Sequence, residues 1–133
     1  MRTVFADSFY FFALVNTGDP AHVRAVSFLQ SYRGRMVTTG WVLTELGDGL
    51  AKRDNRGSFL QTVDTLWAEP NVSVVACSDE LLKEGIDLYR QRPDKDWSLT
   101  DCISFAVMRR EGITEALTGD HHFEQAGFAV LLK

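Results

Sequence analysis

Four carboxylates, Asp7, Glu45, Asp101 and Asp120, carry the chemical interest of this sequence. Asp7, Glu45 and Asp120 each fall at or just beyond the end of a predicted strand. Asp101 falls in the first turn of a helix that continues Cys102-Ile103-Ser104-Phe105-Ala106-Val107-Met108. A helix apolar nearly all round lies buried against a sheet, and a lone buried acid there is costly. Ser98 with Asp101 three residues on reads as a capping box, in which the serine oxygen and the carboxylate serve free backbone N–H groups. Capping accounts for Asp101 alone, but not for four acids in comparable places.

Brought together, four carboxylates repel one another, and protons or cations must offset the charge. Hard divalent cations are the natural answer: all-oxygen ligation suits magnesium or manganese, which keep several waters and use a few carboxylates plus substrate phosphates. Such an ion, or a pair of them, generates hydroxide, holds a phosphodiester and stabilises an in-line displacement.

The elements that must position these acids follow from the periodicity. Thr3-Val4-Phe5-Ala6-Asp7 is a short apolar run ending in an acid, after which Ser8 caps a continuous apolar helix, Phe9 to Val15. Asn16-Thr17-Gly18-Asp19-Pro20 breaks it, with Asp19 as N-cap and Pro20 at the first position of a helix whose Ala25, Val26, Phe28, Leu29 and Tyr32 face inward. Met36 to Thr39 is a second strand. Trp41 to Arg53 is helical with Val42, Leu46 and Leu50 inward and Glu45 in its first turns. Arg56 to Ala68 carries Phe59, Leu60, Val63, Leu66 and Trp67, an amphipathic stripe. Val72 to Ala76 is a third strand, and Ser78 caps a helix with Asp79 and Glu80 in its first turn and Leu82, Ile86 and Tyr89 inward. Gln91 to Trp97 is a polar loop. The central helix reaches Arg110 and Gly112 stops it; Glu115 to Thr118 is a fourth strand ending at Gly119-Asp120, and Phe128 to Leu132 is a fifth.

Strands alternating with helices imply a parallel sheet covered on both faces, a three-layer α/β/α domain. Ligands bind such sheets at the carboxyl ends of the strands, where successive connections go to opposite sides. Asp7 and Asp120 share that edge if the first and fourth strands are neighbours. The 133 residues, 45% of them hydrophobic, suit one domain spanning 1–133 with a sizeable core. No apolar run approaches the roughly 18 residues that cross a bilayer, and Met1 to Asp7 reads as a strand rather than a signal peptide, so a cytoplasmic protein is expected. Cys77 and Cys102 lack metal spacing and are expected as reduced core thiols. Eighteen acids against 14 bases give a formal charge of −4; without the four acids the balance is 14 against 14, so a general basic field for nucleic acid is absent.

Other residues have weaker claims. The hydroxyls of Ser8 and Thr100 suit helix capping as well as orientation of ligands or water. Asp96 lies in a charged run, Asp94-Lys95-Asp96, and Asp48 shares a helix face with Glu45. The adjacent pair His121-His122 is expected to point apart, on the surface or in packing, and His22 is expected on a helix surface. Arg and Lys at 52, 53 and 56, at 90, 92 and 95, and at 109 and 110 form small clusters able to touch phosphates, though most of them are expected to be solvated faces. Trp97 suits core packing better than base stacking.

With these residues in order, the sequence resembles the PIN domain ribonucleases, and among them the VapC-like, toxin-type members. The resemblance rests on Asp7-Ser8 after an N-terminal strand, Thr44-Glu45-Leu46, Ser98-Leu99-Thr100-Asp101 with its apolar continuation, and Leu117-Thr118-x-Asp120-x-His122-Phe123. It implies a five-stranded parallel sheet of order 3-2-1-4-5 and a magnesium- or manganese-dependent endoribonuclease acting on RNA. It also implies homodimers and often an antitoxin partner, with Asp7, Glu45 and Asp101 as core metal ligands and Asp120 as a fourth acid. His121 stands where many relatives carry a basic residue such as Arg. Two other enzyme readings lack residues: Asp7-Ser8-Phe9 has no second acid two residues on, as haloacid-dehalogenase-like enzymes require, and positions 118 to 122 hold no lysine, as receiver domains require. The non-enzymatic alternative is a catalytically inactive PIN-like module that binds RNA or a partner.

Overall fold

The computed structural model describes residues 1–133. Its strands are β1 (Thr3–Ala6), β2 (Arg35–Thr39), β3 (Val72–Val75), β4 (Glu115–Leu117) and β5 (Ala129–Val130). All pair in parallel, in the order β3-β2-β1-β4-β5 that the resemblance implies. The helices are α1 (Ser8–Val15), α2 (His22–Ser31), α3 (Gly40–Gly49), α4 (Arg56–Ala68), α5 (Asp79–Gln91), α6 (Leu99–Glu111) and α7 (His121–Gln125). Val4, Phe5 and Ala6 of central β1 are wholly buried, as a parallel strand covered on both faces must be.

The order fixes where the helices go. From β1 to β2 to β3 the chain steps one way along the sheet; from β3 to β4 to β5 it steps the other way. Right-handed crossovers therefore lay α1 to α4 on one face and α5 to α7 on the other. The reversal falls between neighbours β1 and β4, and there the carboxyl ends of the strands open a crevice.

Helix α6 is the central packing element. Ser98 and Asp101 form the capping box expected of them, and Gly112, at φ 69°, ends the helix in the left-handed conformation. The ring of Phe105 meets Trp97 and Phe123 edge-on, at centroid distances of 5.0 and 4.9 Å. Trp97 is core, as expected, with its Nε1 donating to Gln125 Oε1 at 2.9 Å.

Several elements depart from the expectations. The fully buried residues of α5 are Leu81 and Gly85, while Leu82 and Ile86 are half-buried and Tyr89 is exposed. A Cβ at position 85 would lie 2.3 Å from Ile103 Cγ1, so glycine lets α6 approach closely and leaves Leu82 and Ile86 at the half-buried margin of the contact. On α4, Val63 and Leu66 are buried while Leu60 and Trp67 are 59% and 69% exposed; a helix against an edge strand has only a narrow covered stripe. Leu29 of α2 is likewise exposed. Helix α3 ends at Gly49, with a separate 3-10 turn at Arg53–Asn55. Asp19 closes a turn over Pro20 by accepting from the Ala21 N–H at 2.8 Å, and α2 starts only at His22. His22 is no plain surface residue, because its Nδ1 lies 2.7 Å from the Ala13 carbonyl and ties α2 to α1. Cys102 is buried, but Cys77 is exposed, since β3 stops at Val75 and the chain leaves the sheet. Helix α7 occupies five residues that the sequence leaves between two strands.

Candidate active site

Asp7 follows β1 directly. It occupies the N-cap position of α1, yet its side chain makes no capping bond. Pairing of Ala6 with Leu117 sets it beside the residue that follows β4, and Thr118 Oγ1 donates to Asp7 Oδ2 at 2.9 Å. Glu45 is delivered from the other side by α3, whose start is fixed by Thr39 accepting from the Val42 N–H at 3.1 Å. Its Oε1 accepts a short hydrogen bond from Ser8 Oγ. Ser8 therefore orients an acid and does not cap α1.

Asp101 serves its helix and the site together. Its Oδ2 accepts from the Ser98 N–H at 3.1 Å, while its own N–H donates to Ser98 Oγ at 3.0 Å. Asp120 closes the set: its N–H donates to Thr118 Oγ1 at 3.1 Å, and its Oδ1 caps α7 by accepting from the His122 N–H at 2.9 Å. Thr118 thus aligns two acids of the cluster, one from each side of the β1–β4 seam.

The four acids line one open cavity of about 430 Å³ at the carboxyl edge of the sheet, with Ser8, Asp96, Ser98 and His122 beside them and Phe9 and Phe12 as an apolar wall. Asp48 and Thr100 are not among its lining residues. The histidines do not point apart. Asp120 caps a helical turn and not an extended segment, so the two rings lie side by side, 4.4 Å between centroids and tilted by 51°. His122 Nδ1 lies 3.2 Å from Asp101 Oδ2 and 3.4 Å from Asp120 Oδ1, and His121 Nδ1 lies 3.7 Å from the same Asp120 oxygen. Ligand atoms of Asp120, His121 and His122 all fall within 4.8 Å of one another.

Burial drives the electrostatics. It pushes the Asp7 carboxyl up to about 7, against the Thr118 hydrogen bond, with Asp101 and Glu45 adding repulsion. Burial also raises Glu45, partly offset by the Ser8 bond, and raises Asp101, partly offset by the Ser98 N–H. Three neighbouring acids that each resist ionisation form a site suited to a cation. In Glu45, Asp101 and Asp120 one oxygen is held by the protein and the other, Oε2, Oδ1 and Oδ2 respectively, receives no protein donor; Asp7 Oδ1 receives none from a side chain. Oriented oxygens with free lone pairs fit a hard divalent ion.

A profile of the PIN domain family matches residues 4–129. The chain is 28% identical over 125 residues to the 23S rRNA-specific endonuclease VapC20 of Mycobacterium tuberculosis, covering 94% of this chain and 95% of that one. The crystal structure of that protein, described as a sarcin–ricin-loop-cleaving toxin, superposes with a TM-score of 0.86 at 27% identity, over 95% of this chain and 96% of that one. VapBC2 from Rickettsia felis, bound to a DNA fragment from its promoter, shares the fold at a TM-score of 0.68 and 11% identity, over 96% of each chain. FitAcB from Neisseria gonorrhoeae does so at 0.67 and 16%, again over 96% of each. Fold, strand order and the family match over nearly the whole chain agree: this chain belongs to the PIN domain family.

Proposed function

We propose that residues 1–133 act as one PIN-like domain, a divalent-metal-dependent endoribonuclease that serves as the toxin of a toxin–antitoxin pair. The observation that carries this reading is the convergence of Asp7, Glu45, Asp101 and Asp120 on one cavity at the β1–β4 seam, with oxygens left free toward it. These four would hold magnesium or manganese. When bound, such an ion supplies Lewis-acid chemistry, activating water and offsetting phosphodiester charge. The chain's own residues do the positioning. Thr118 and Ser8 orient Asp7 and Glu45, while His122 bridges Asp101 and Asp120. Phe9 and Phe12 limit water on one side of the cavity.

The relative's activity suggests the substrate, a structured ribosomal RNA hairpin of the sarcin–ricin type. An antitoxin and a second copy of the chain are the proposed protein partners, checked by co-purification and by light scattering.

The test is single-turnover cleavage of such a hairpin by wild type and Asp7→Asn, with magnesium, manganese, calcium or chelator. Cleavage is expected with the first two ions, poorly with calcium, whose shell is larger and looser, and not with chelator. Asp7→Asn is expected to lose at least about a hundredfold in rate, about 2.7 kcal/mol of barrier. Equal cleavage by both proteins would sink the metal site. No cleavage of any RNA by either would favour the inactive binding module.

A further inference from the structure

The loop between α5 and α6 separates two cavities of opposite chemistry. Asp96 and Ser98 line the acid cavity, whereas Arg92, Lys95 and Trp97 line a second one of about 480 Å³ on its other side. That volume lies within the roughly 300–1,000 Å³ of small-ligand sites. Tyr89 and Arg90, from the end of α5, complete its rim.

Arg92 is held in place: Nε and Nη2 donate to Asp94 at 3.0 and 2.9 Å, and its guanidinium lies 5.1 Å from the Trp97 ring centroid. Lys95 makes no ion pair, and Arg90 makes only an exposed one with Asp87 at 3.3 Å. Exposed pairs of that kind contribute little and yield readily to a phosphate. Of the two largely exposed Trp or Tyr rings, Trp67 lies against Leu66, Val72 and Val74, and Tyr89, 56% exposed, stands among the cations. An exposed ring beside one unpaired lysine and a loosely paired arginine, next to the cavity proposed for phosphodiester chemistry, matches how proteins hold unpaired RNA: phosphates by charge, bases by stacking.

We propose that this second cavity is a nucleotide subsite for the RNA strand that enters the acid cavity, with a phosphate on Lys95 and Arg90 and an unpaired base against Tyr89. The proposal rests on the endoribonuclease reading. It supplies what the overall charge of −4 lacks, a local hold on RNA beside four acids that repel it.

The test measures binding of a fluorescein-labelled sarcin–ricin hairpin, in magnesium, to full-length protein carrying Asp7→Asn to suppress cleavage. Tyr89→Ala is expected to weaken binding about tenfold, with Tyr89→Phe restoring it. Lys95→Gln is expected to weaken it several-fold and to flatten the slope of log affinity against log salt by about 0.7. Lys83→Gln, an unpaired cation on α5 that does not line this cavity, is the control and should change neither. Thermal melts confirm that each exposed-site variant is folded. Affinities unchanged in Tyr89→Ala and Lys95→Gln, in a protein whose wild type cleaves the hairpin, would overturn the subsite and leave the nuclease reading standing. A loss in Lys83→Gln equal to that in Lys95→Gln would also overturn it, as a diffuse charge effect. Failure of the Asp7→Asn parent to bind any RNA, together with failure of the wild type to cleave any, would refute the nuclease reading and the subsite with it.

Discussion

Asp101 shows how one residue answers to two demands. Its Oδ2 satisfies the N-terminus of α6, and its Oδ1 remains free toward the acid cavity. Changing it should separate the roles. Asp101→Asn keeps an oxygen for the Ser98 N–H but removes a charge that burial and Asp120 both disfavour. Without metal it is expected to fold and to melt at or above the wild-type temperature. Asp101→Ala loses the cap as well and should cost about 1 kcal/mol relative to Asn. Denaturant melts in chelator check this, and an Asn variant markedly less stable than Ala would contradict it. The acids themselves were legible in the sequence, because carboxylates at the ends of apolar runs in a parallel α/β pattern have few structural uses. Thr118 and His122 were not legible as partners. The first reaches Asp7 across 111 positions through strand pairing, and the second is aimed by a helix too short to leave a period.

Among the elements, strand and helix types followed from pattern, whereas the inward face of α5 did not. Leu82, Ile86 and Tyr89 make a plausible stripe, but the contact that sets the helix's rotation is made by a residue with no side chain. Hydrophobic periodicity registers large apolar groups, and close backbone approach leaves no mark in it. The consequence is a reversal of sign between two helical glycines. At Gly85 a methyl would meet Ile103 Cγ1 at 2.3 Å and its backbone nitrogen at 3.3 Å, so Gly85→Ala should lose about 1–2 kcal/mol even after its gain in helix propensity. At exposed Gly57 of α4 a Cβ meets nothing within 4 Å, and Gly57→Ala should gain about 0.5 kcal/mol. Urea midpoints decide it, and two shifts of the same sign would refute the packing account. Over-rotation toward α6 would also displace Asp101 at that helix's start, so Gly85→Ala couples stability to the site.

For the whole molecule, the fold buries its acid cluster against the preference of the charged carboxyls for water, and pH shows the cost. A carboxyl raised in the folded state binds its proton more tightly there than in the unfolded chain. Asp7, at about 7 when folded against 3.8 as its ordinary value, is therefore unperturbed in its contribution below about pH 4 and increasingly destabilising as pH rises through that interval. Glu45 and Asp101, raised as well, act in the same direction. The opposing groups, Glu115 lowered by Arg2 and Asp94 lowered by Arg92, cost stability only as pH falls through the acid range. Metal-free protein should thus melt several degrees higher at pH 5 than at pH 7.5, the reverse of a protein stabilised mainly by ionised acids. On the proposed reading, magnesium or manganese would take the same oxygens that the protons occupy, so it should stabilise the protein at pH 7.5 and progressively less toward pH 5. Asp7→Asn removes the most strongly raised of these carboxyls and should flatten both dependences. Calorimetry at the two pH values, with chelator and with magnesium, measures all four quantities. A metal-free melting temperature that rises from pH 5 to pH 7.5 would show that these carboxylates are stabilised by protein donors rather than held ready for a cation.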